Sequence, residues 1–194
     1  MAPRSLIIRS TIQALVLASI SNILAQLLTA YRSSVRPLLS PLLIPTDPPP
    51  QRPLHIDPLP LLRYLFFTLL SAPPNIAWQS FLERRFPAYP LPSRRLSKRN
   101  TAAKFLLDQS LGAVLNTWAF IAGMDLLRGE TSGAAIVAHL RRDTGPIIRA
   151  GQKVWPLVSV VSFTLVPLEW RTALGGMVGI GWGVWLCLIE GGKA

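Results

Sequence analysis

The chain has 194 residues, of which 50% are apolar and 15% are charged, and it carries 20 basic residues against 9 acidic ones. This length predicts one domain, and the basic residues lie between long apolar runs, where contact with anionic lipid headgroups explains them better than binding to nucleic acid. A single cysteine excludes a disulfide framework, and neither histidine has neighbours at metal-ligand spacing, so we expect no metal and no other cofactor.

The first predicted span is residues 6–30, because a helix of about 20 apolar residues crosses the roughly 30 Å hydrocarbon layer. Arg9 interrupts its start and no small-residue cleavage site follows, which argues against a secretory signal peptide. The spacing of Ser19, Asn22 and Gln26 gathers polar groups on one helix face. Hydrogen bonds between helices explain such a face as well as a pore lining does.

Residues 61–82 and 101–127 are the second and third predicted spans. The pair Pro73-Pro74 predicts a kink in the second span. In the third span, polar or small residues and one aromatic residue recur at every fourth position and share one side of the helix: Lys104, Asp108, Gly112, Asn116 and Phe120. An ionisable group inside a span is a functional candidate, although a simple ion pair between Lys104 and Asp108 is the alternative.

The fourth predicted span, residues 156–189, is too long to cross once as a single straight helix. Pro167 predicts a break, and Glu169 and Arg171 supply charges directly after it. The sequence therefore predicts a short helical piece, a charged break and a final span.

The final span carries glycine at every fourth position, at Gly175, Gly179 and Gly183. Residues at this spacing lie on one helix face, and small side chains there let a second membrane helix approach closely. We therefore expect this face to be a helix-packing surface.

Three connecting segments separate the predicted spans. Residues 33–60 contain nine prolines, which predicts an extended, polyproline-like linker because proline removes a helical donor. Residues 83–104 form a basic loop that has seven basic residues against Glu83 alone, which is typical of an orientation and headgroup-contact signal. Residues 132–153 predict an interfacial amphipathic segment that Gly145-Pro146 divides in two.

The last span contains the pattern W-P-x(9)-V-P-x(3)-R followed by a further tryptophan, at Trp155, Pro156, Val166, Pro167, Arg171 and Trp182. Three shorter runs precede it: S-N-I-L-A-Q at 21–26, A-P-P-N-I-A-W at 72–78 and K-F-L-L-D-Q at 104–109. In this order and spacing they resemble the Mpv/peroxisomal membrane protein 22 family. Asn22 stands where the family pattern has aspartate. Three further positions stand where family members usually have glutamine or asparagine, which weakens the transfer of polar pore-lining contacts in the last helices: Ser159, Ser162 and Gly183.

The resemblance implies an all-α bundle of four transmembrane helices in the peroxisomal membrane or the mitochondrial inner membrane. It also implies a pore for small water-soluble metabolites, or an effect on organelle membrane potential and redox homeostasis. The proline-rich linker and the second and third runs are closest to the peroxisomal branch. An N-terminus with arginines and no acidic residue also suits mitochondrial import, so that location stays open.

Two functions are compatible with these residues. In the first, the bundle is a weakly selective pore lined by polar groups from three spans: Asn22, Gln26, Asn75, Gln79, Lys104, Asp108 and Asn116. In the second, it is a structural or regulatory membrane protein whose glycine face and basic loop bind a second copy or the receptor that delivers peroxisomal membrane proteins. No nucleophile, base and orienting group can be assembled from the sequence, so we do not expect an enzyme.

Overall fold

The computed structural model describes residues 3–39, 56–92 and 95–190, and within these ranges the side chains other than those of 32–39 and 183–190. The described residues form no strand and six helices: α1 (Arg4–Leu39), α2 (Pro58–Arg85), α3 (Lys98–Leu127), α4 (Gly133–Gly151), α5 (Trp155–Leu165) and α6 (Leu168–Glu190). The predicted all-α fold is therefore confirmed. Within α3, Asp108–Gly112 form a π-helical turn.

The first three helices alternate in direction. Lys104, near the start of α3, donates a hydrogen bond to Glu83, near the end of α2. The last helix, α6, runs parallel to α1: the Arg9 guanidinium lies 5.7 Å from the centre of the Trp170 ring, and further along both helices Leu17 lies beside Gly176. The starts of α1, α3 and α6 therefore lie at the same end of the bundle.

The two helices α4 and α5 together run back along α3. His139 Nδ1 of α4 lies 2.8 Å from Asp125 Oδ2 near the end of α3, and Ser159 Oγ of α5 donates to Asp108 Oδ2 in its first half at 2.9 Å. The segment predicted to be interfacial is thus antiparallel to α3, and it does not lie across the end of the bundle. Its interfacial position stays a prediction, and the contact of His139 with Asp125 gives it a neighbour, α3, that the local pattern does not specify.

The helix α4 is also continuous where the sequence predicted a break. Pro146 lies inside the helix and is exposed; it removes one helical donor, yet the helix runs without interruption from Gly133 to Gly151. Ser132 caps the start of α4 and accepts a hydrogen bond from the Ala135 amide at 3.3 Å. One capped helix therefore replaces the two predicted pieces.

Two of the described helices are long and apolar enough to cross a membrane, namely residues 4–31 of α1 and the whole of α3. The helix α5 is apolar but shorter. These two correspond to the first and third predicted spans. The second predicted span corresponds to α2, which is continuous through Pro73 and Pro74.

The ends of the predicted linker are helical. The helix α1 continues to Leu39, and α2 begins at Pro58, so the extended chain predicted for 33–60 is wrong at both ends. Proline is tolerated in the first helical turn, where no N–H group is needed, and the Asp57 side chain caps that turn by accepting from the Leu59 amide at 2.9 Å. Residues 40–55 lie outside the described residues.

The predicted break between α5 and α6 is present. The helix α5 ends at Leu165, Val166 is extended with φ −105° and ψ 121°, and Pro167 follows. Glu169 and Arg171 lie after the break, in the first turns of α6.

Gly175 and Gly179, on the predicted glycine face of α6, make no close contact within the described chain, so the role of this face as a packing surface stays a prediction. A Cβ atom at Gly175 or Gly179 would meet no atom of the described chain within 4 Å, whereas one at Gly176 would lie 2.5 Å from Leu17 Cδ1 of α1. The close approach of α1 and α6 therefore uses Gly176, one position away from the predicted register. Gly183 lies where side-chain surroundings are not described.

Candidate functional site

A charge cluster, formed by Glu83, Lys104 and Arg171, joins three helices at one end of the bundle. Glu83 Oε2 accepts hydrogen bonds from Lys104 Nζ at 2.8 Å and from Arg171 Nη2 at 2.6 Å. The Lys104 side chain is fully buried and that of Arg171 is 8% exposed, so one carboxylate balances two cations that have little access to solvent. The cluster therefore has more positive than negative charge.

Arg171 also closes the break between α5 and α6. Its Nε donates to the carbonyl oxygens of Ser162 at 3.0 Å and Val166 at 3.1 Å, which lie where α5 runs out of helical donors. The buried Phe163 ring lies 5.3 Å from the Arg171 guanidinium carbon and 5.2 Å from Lys104 Nζ. The charge predicted to follow the break is thus the group that satisfies its backbone, whereas Glu169 is exposed.

Asp108 collects hydrogen bonds from two neighbouring helices at the π turn. Its Oδ1 accepts from Trp78 Nε1 at 3.3 Å and from Gln79 Nε2 at 3.0 Å, both on α2. Its Oδ2 accepts from Ser159 Oγ of α5 at 2.9 Å, and Ser159 Oγ in turn accepts from Gln109 Nε2 at 2.8 Å. Every partner of the carboxyl group is a donor, which fits an ionised carboxylate. We call these five residues the Asp108 network.

The stripe predicted along α3 faces α2, and we call this contact the α2–α3 seam. Its pairs, in order along α3, are Lys104 with Glu83, Asp108 with Gln79, Gly112 with Trp78, Asn116 with Asn75 and Phe120 with Phe67. The Asn75 and Asn116 side chains are exposed, and Asn75 Nδ2 donates to Asn116 Oδ1 at 3.3 Å. Lys104 and Asp108 therefore each bond to α2 and do not form the alternative ion pair.

Asn22 and Gln26 lie apart from this seam. Gln26 Nε2 donates to Asn22 Oδ1 at 2.8 Å and to the Asp57 carbonyl at 3.0 Å, and Gln26 Oε1 accepts from the Asp57 amide at 2.7 Å. These contacts hold the start of α2 against α1. The residues predicted to line a pore therefore fall into two separate groups. Asn22 and Gln26 hold the start of α2 against α1, and the others lie along the α2–α3 seam.

A cavity of about 270 Å³ lies between the end of α3 and α4. Asp125 is its buried acid and contacts His139 Nδ1 at 2.8 Å, with Arg128 Nη1 at 3.9 Å. Phe120 and Ile147 belong to its apolar lining. The contact between Asp125 and His139 anchors α4 to α3.

The exposed side of α4 carries three arginines, which we call the basic face: Arg141, Arg142 and Arg149. Arg142 donates two hydrogen bonds to Asp143, at 2.7 and 2.8 Å. Arg149 Nε lies 3.4 Å from the Gly145 carbonyl oxygen of its own helix.

Sequence reasoning missed several members of these groups. Glu83 had a visible signal, because it is the single acid among the basic residues of 83–104. Ser159 stood out only as a departure from a family pattern, and no local pattern distinguishes Trp78 from the other tryptophans. The contact between Asp125 and His139 joins two helices and has no signature within either of them.

Comparison with known proteins identifies relatives of the chain. The sequence profile of the Mpv17/PMP22 family matches residues 125–187. An Mpv17-like protein of Bos taurus is 35% identical over 116 residues, which cover 60% of this chain and 54% of that protein. PXMP2/4 family protein 3 of Dictyostelium discoideum is 28% identical over 129 residues, 66% of each chain.

A longer match is to protein sym1 of Schizosaccharomyces pombe, with 26% identity over 172 residues, 89% of this chain and 79% of that protein. The chain thus spans about half of the bovine relative and about two thirds of the Dictyostelium relative. No solved structure matches the chain.

Proposed function

The chain belongs to the Mpv17/PMP22 family of membrane proteins, and from this premise we propose that it forms a weakly selective pore for small water-soluble metabolites in an organelle membrane. The proposal rests on exposed polar side chains near the middle of α3, a helix long enough to cross a membrane. Asn116 lies about one turn from the middle of α3, and both it and its partner Asn75 are exposed.

Exposed amides at this height need water or protein as a neighbour, because hydrocarbon cannot hydrogen-bond to them. The Asn75–Asn116 bond satisfies only part of their capacity, since each amide has two donors and one acceptor oxygen. A water-filled pathway beside the α2–α3 seam supplies the missing partners. Since these amides lie on the outside of one chain, we propose that two or more copies enclose the pathway.

Conductance of the purified protein in planar bilayers tests this function. We expect reproducible openings from the folded wild-type protein and a lower conductance when Asn75→Leu and Asn116→Leu are combined, because the apolar replacements remove groups that hold water. Leu115→Ala is the matched control, since Leu115 is an exposed apolar neighbour on α3. A folded wild-type protein that never opens would overturn the pore function and favour a structural role.

We propose the peroxisomal membrane as the location, with the mitochondrial inner membrane as the alternative. The support is the sequence of residues 72–78 and 104–109, which is closest to the peroxisomal branch, and one relative has the name PXMP2/4 family protein 3. Imaging of a fluorescently tagged chain with markers for both organelles distinguishes the two. Exclusive overlap with the mitochondrial marker would reject the peroxisomal location.

A further inference from the structure

The helix α4 brings its basic face to the middle of the bundle. Ile147 and Phe120 line the same cavity, and five residues later Gln152 Nε2 donates to Gln109 Oε1 of α3 at 3.4 Å. Arg149 lies between Ile147 and Gln152, so its height along the bundle falls between those of Phe120 and Gln109. The midpoint of α3 lies between the same two residues.

Arginine at this height does not suit a lipid-facing surface. A guanidinium that faces hydrocarbon is strongly disfavoured, and such residues in spans ordinarily face protein or a water-filled cavity. The chain itself shows what a lipid-compatible face looks like, because α1 exposes only apolar side chains at every fourth position over several turns: Ile8, Ile12, Val16, Ile20 and Leu24. The exposed side of α4 differs, because it carries three arginines beside apolar residues such as Val137 and Ile147.

The basic face also has an excess of positive charge. Arg142 is balanced by Asp143, with which it forms two hydrogen bonds. Among the described residues, no carboxylate lies within salt-bridge distance of Arg141 or Arg149. Rings or rows of basic side chains attract anions into a pore and repel cations.

We propose that the basic face of α4 lines the water-filled pathway and makes it selective for small anions, the class that includes carboxylates and phosphates. This inference rests on the proposed pore function and names its substrate class. Contact with lipid headgroups would explain arginines at the end of the bundle. Arg149 lies two helical turns beyond Arg142, about 10 Å further along α4, and headgroup contact does not explain it.

The test is the reversal potential of Arg149→Gln in a potassium chloride gradient across a planar bilayer. We expect an anion-selective wild-type pore and a fall of about sevenfold in the chloride-to-potassium permeability ratio. In water, one charge roughly 7 Å from a permeating ion changes the local concentration of that ion about threefold, and it acts on chloride and potassium in opposite directions. Arg99→Gln removes the same charge from the exposed first turn of α3 and should leave the ratio unchanged.

A second measurement reports on water access directly. The variant combines Arg149→Cys with Cys187→Ser, which removes the single native cysteine. Its new thiol should react with a membrane-impermeant, negatively charged thiol reagent in sealed vesicles. Modification should then shift the permeability ratio further toward potassium. A position that reacts in detergent but not in vesicles would overturn the inference, because it would place the side chain against lipid or a second copy.

The failure of the inference differs from the failure of the pore itself. A wild-type protein that conducts with a cation preference, or an Arg149→Gln variant with the wild-type ratio, would overturn the anion assignment and leave the pore function standing. A folded wild-type protein that stays silent would overturn both.

Discussion

Arg171 Nη2 donates to Glu83 Oε2 at 2.6 Å and thereby ties the beginning of α6 to the end of α2, across 88 residues of sequence. The same guanidinium bonds to two carbonyl groups at the end of α5. Its remaining terminal nitrogen, Nη1, is buried and has no hydrogen-bond partner in the described part of the chain. Three helices therefore depend on one arginine whose charge is balanced by a single shared carboxylate.

The first prediction concerns that carboxylate. Glu83→Gln should lower the free energy of unfolding by about 3 kcal/mol, the lower end for a broken buried ion pair, because Glu83 itself is 29% exposed while its two cations are buried. Thermal unfolding in detergent measures the effect. Glu169→Gln is the matched control, since Glu169 is exposed, and equal melting of the two variants would contradict a stabilising charge cluster.

The second prediction concerns the contact between α1 and α6. Gly176→Leu should lower the free energy of unfolding by about 1–3 kcal/mol, because its side chain has no room beside Leu17, whereas Gly179→Leu meets open space within the chain. Thermal unfolding of both variants provides the comparison.

Combining Gly176→Leu with Leu17→Ala should restore part of the loss, since the second change removes the atoms that collide. Equal destabilisation at both glycines would show that the close approach is not confined to Gly176. A change in oligomer size caused only by Gly179→Leu would assign that glycine to contact between copies.

The third prediction concerns the Asp108 network. Asp108→Asn should lower the free energy of unfolding by about 1–3 kcal/mol, because one carboxylate oxygen becomes an NH₂ group that faces donors. Ser159→Ala removes one of those donors, so the double variant should show a coupling energy of about 0.5–3 kcal/mol. Asp143→Asn on the exposed side-chain pair of α4 is the control and should cost less.

The same variant tests whether Asp108 reaches the pathway. Its oxygens are already occupied by donors from α2 and α5, so we expect the permeability ratio of a folded Asp108→Asn protein to stay near the wild-type value. A shift toward anions would restore the pore-lining role that the sequence suggested. If the losses of unfolding free energy from Asp108→Asn and Ser159→Ala simply add, the two residues are not coupled and the Asp108 network is contradicted.

The fourth prediction concerns the basic loop. We expect its arginines and lysines to face the cytosol and to serve delivery to the membrane, so replacing six of them with glutamine should mislocalise the protein: Arg84, Arg85, Arg94, Arg95, Lys98 and Arg99. Arg94 lies outside the described residues. Imaging against organelle markers measures the result, and neutralising the basic face of α4 is the control.

Thermal unfolding of the purified variant separates a targeting defect from misfolding. If the loop is protected from added protease in intact organelles, the cytosolic orientation is wrong. If the variant with six substitutions still reaches its membrane, these charges are not the targeting signal.

Local sequence signals predicted that the chain is helical and where α5 ends, but not the ends of α1 and α2 or the continuity of α4. The break before α6 was predicted correctly from Pro167 and from the length of the apolar run, because a proline interrupts the helix in the turn where it lies. The packing partners could not be predicted in this way. The direction in which α4 runs along α3 depends on the contact of His139 with Asp125, and the crowded glycine of α6 depends on where Leu17 lies. Both are decided by residues distant in sequence.

The π turn at Asp108–Gly112 determines which side of α3 faces α2 on either side of it. Residues four apart in an α-helix advance about 40° beyond a full turn, so a row that starts at Lys104 would drift by about 160° before it reached Phe120. The turn at Asp108–Gly112 holds an extra residue and reverses about 100° of that drift. A row that would otherwise wind around α3 stays in front of α2. Deleting one residue from this turn would rotate the two halves of α3 against each other, so that Lys104 and Phe120 could no longer meet the same helix.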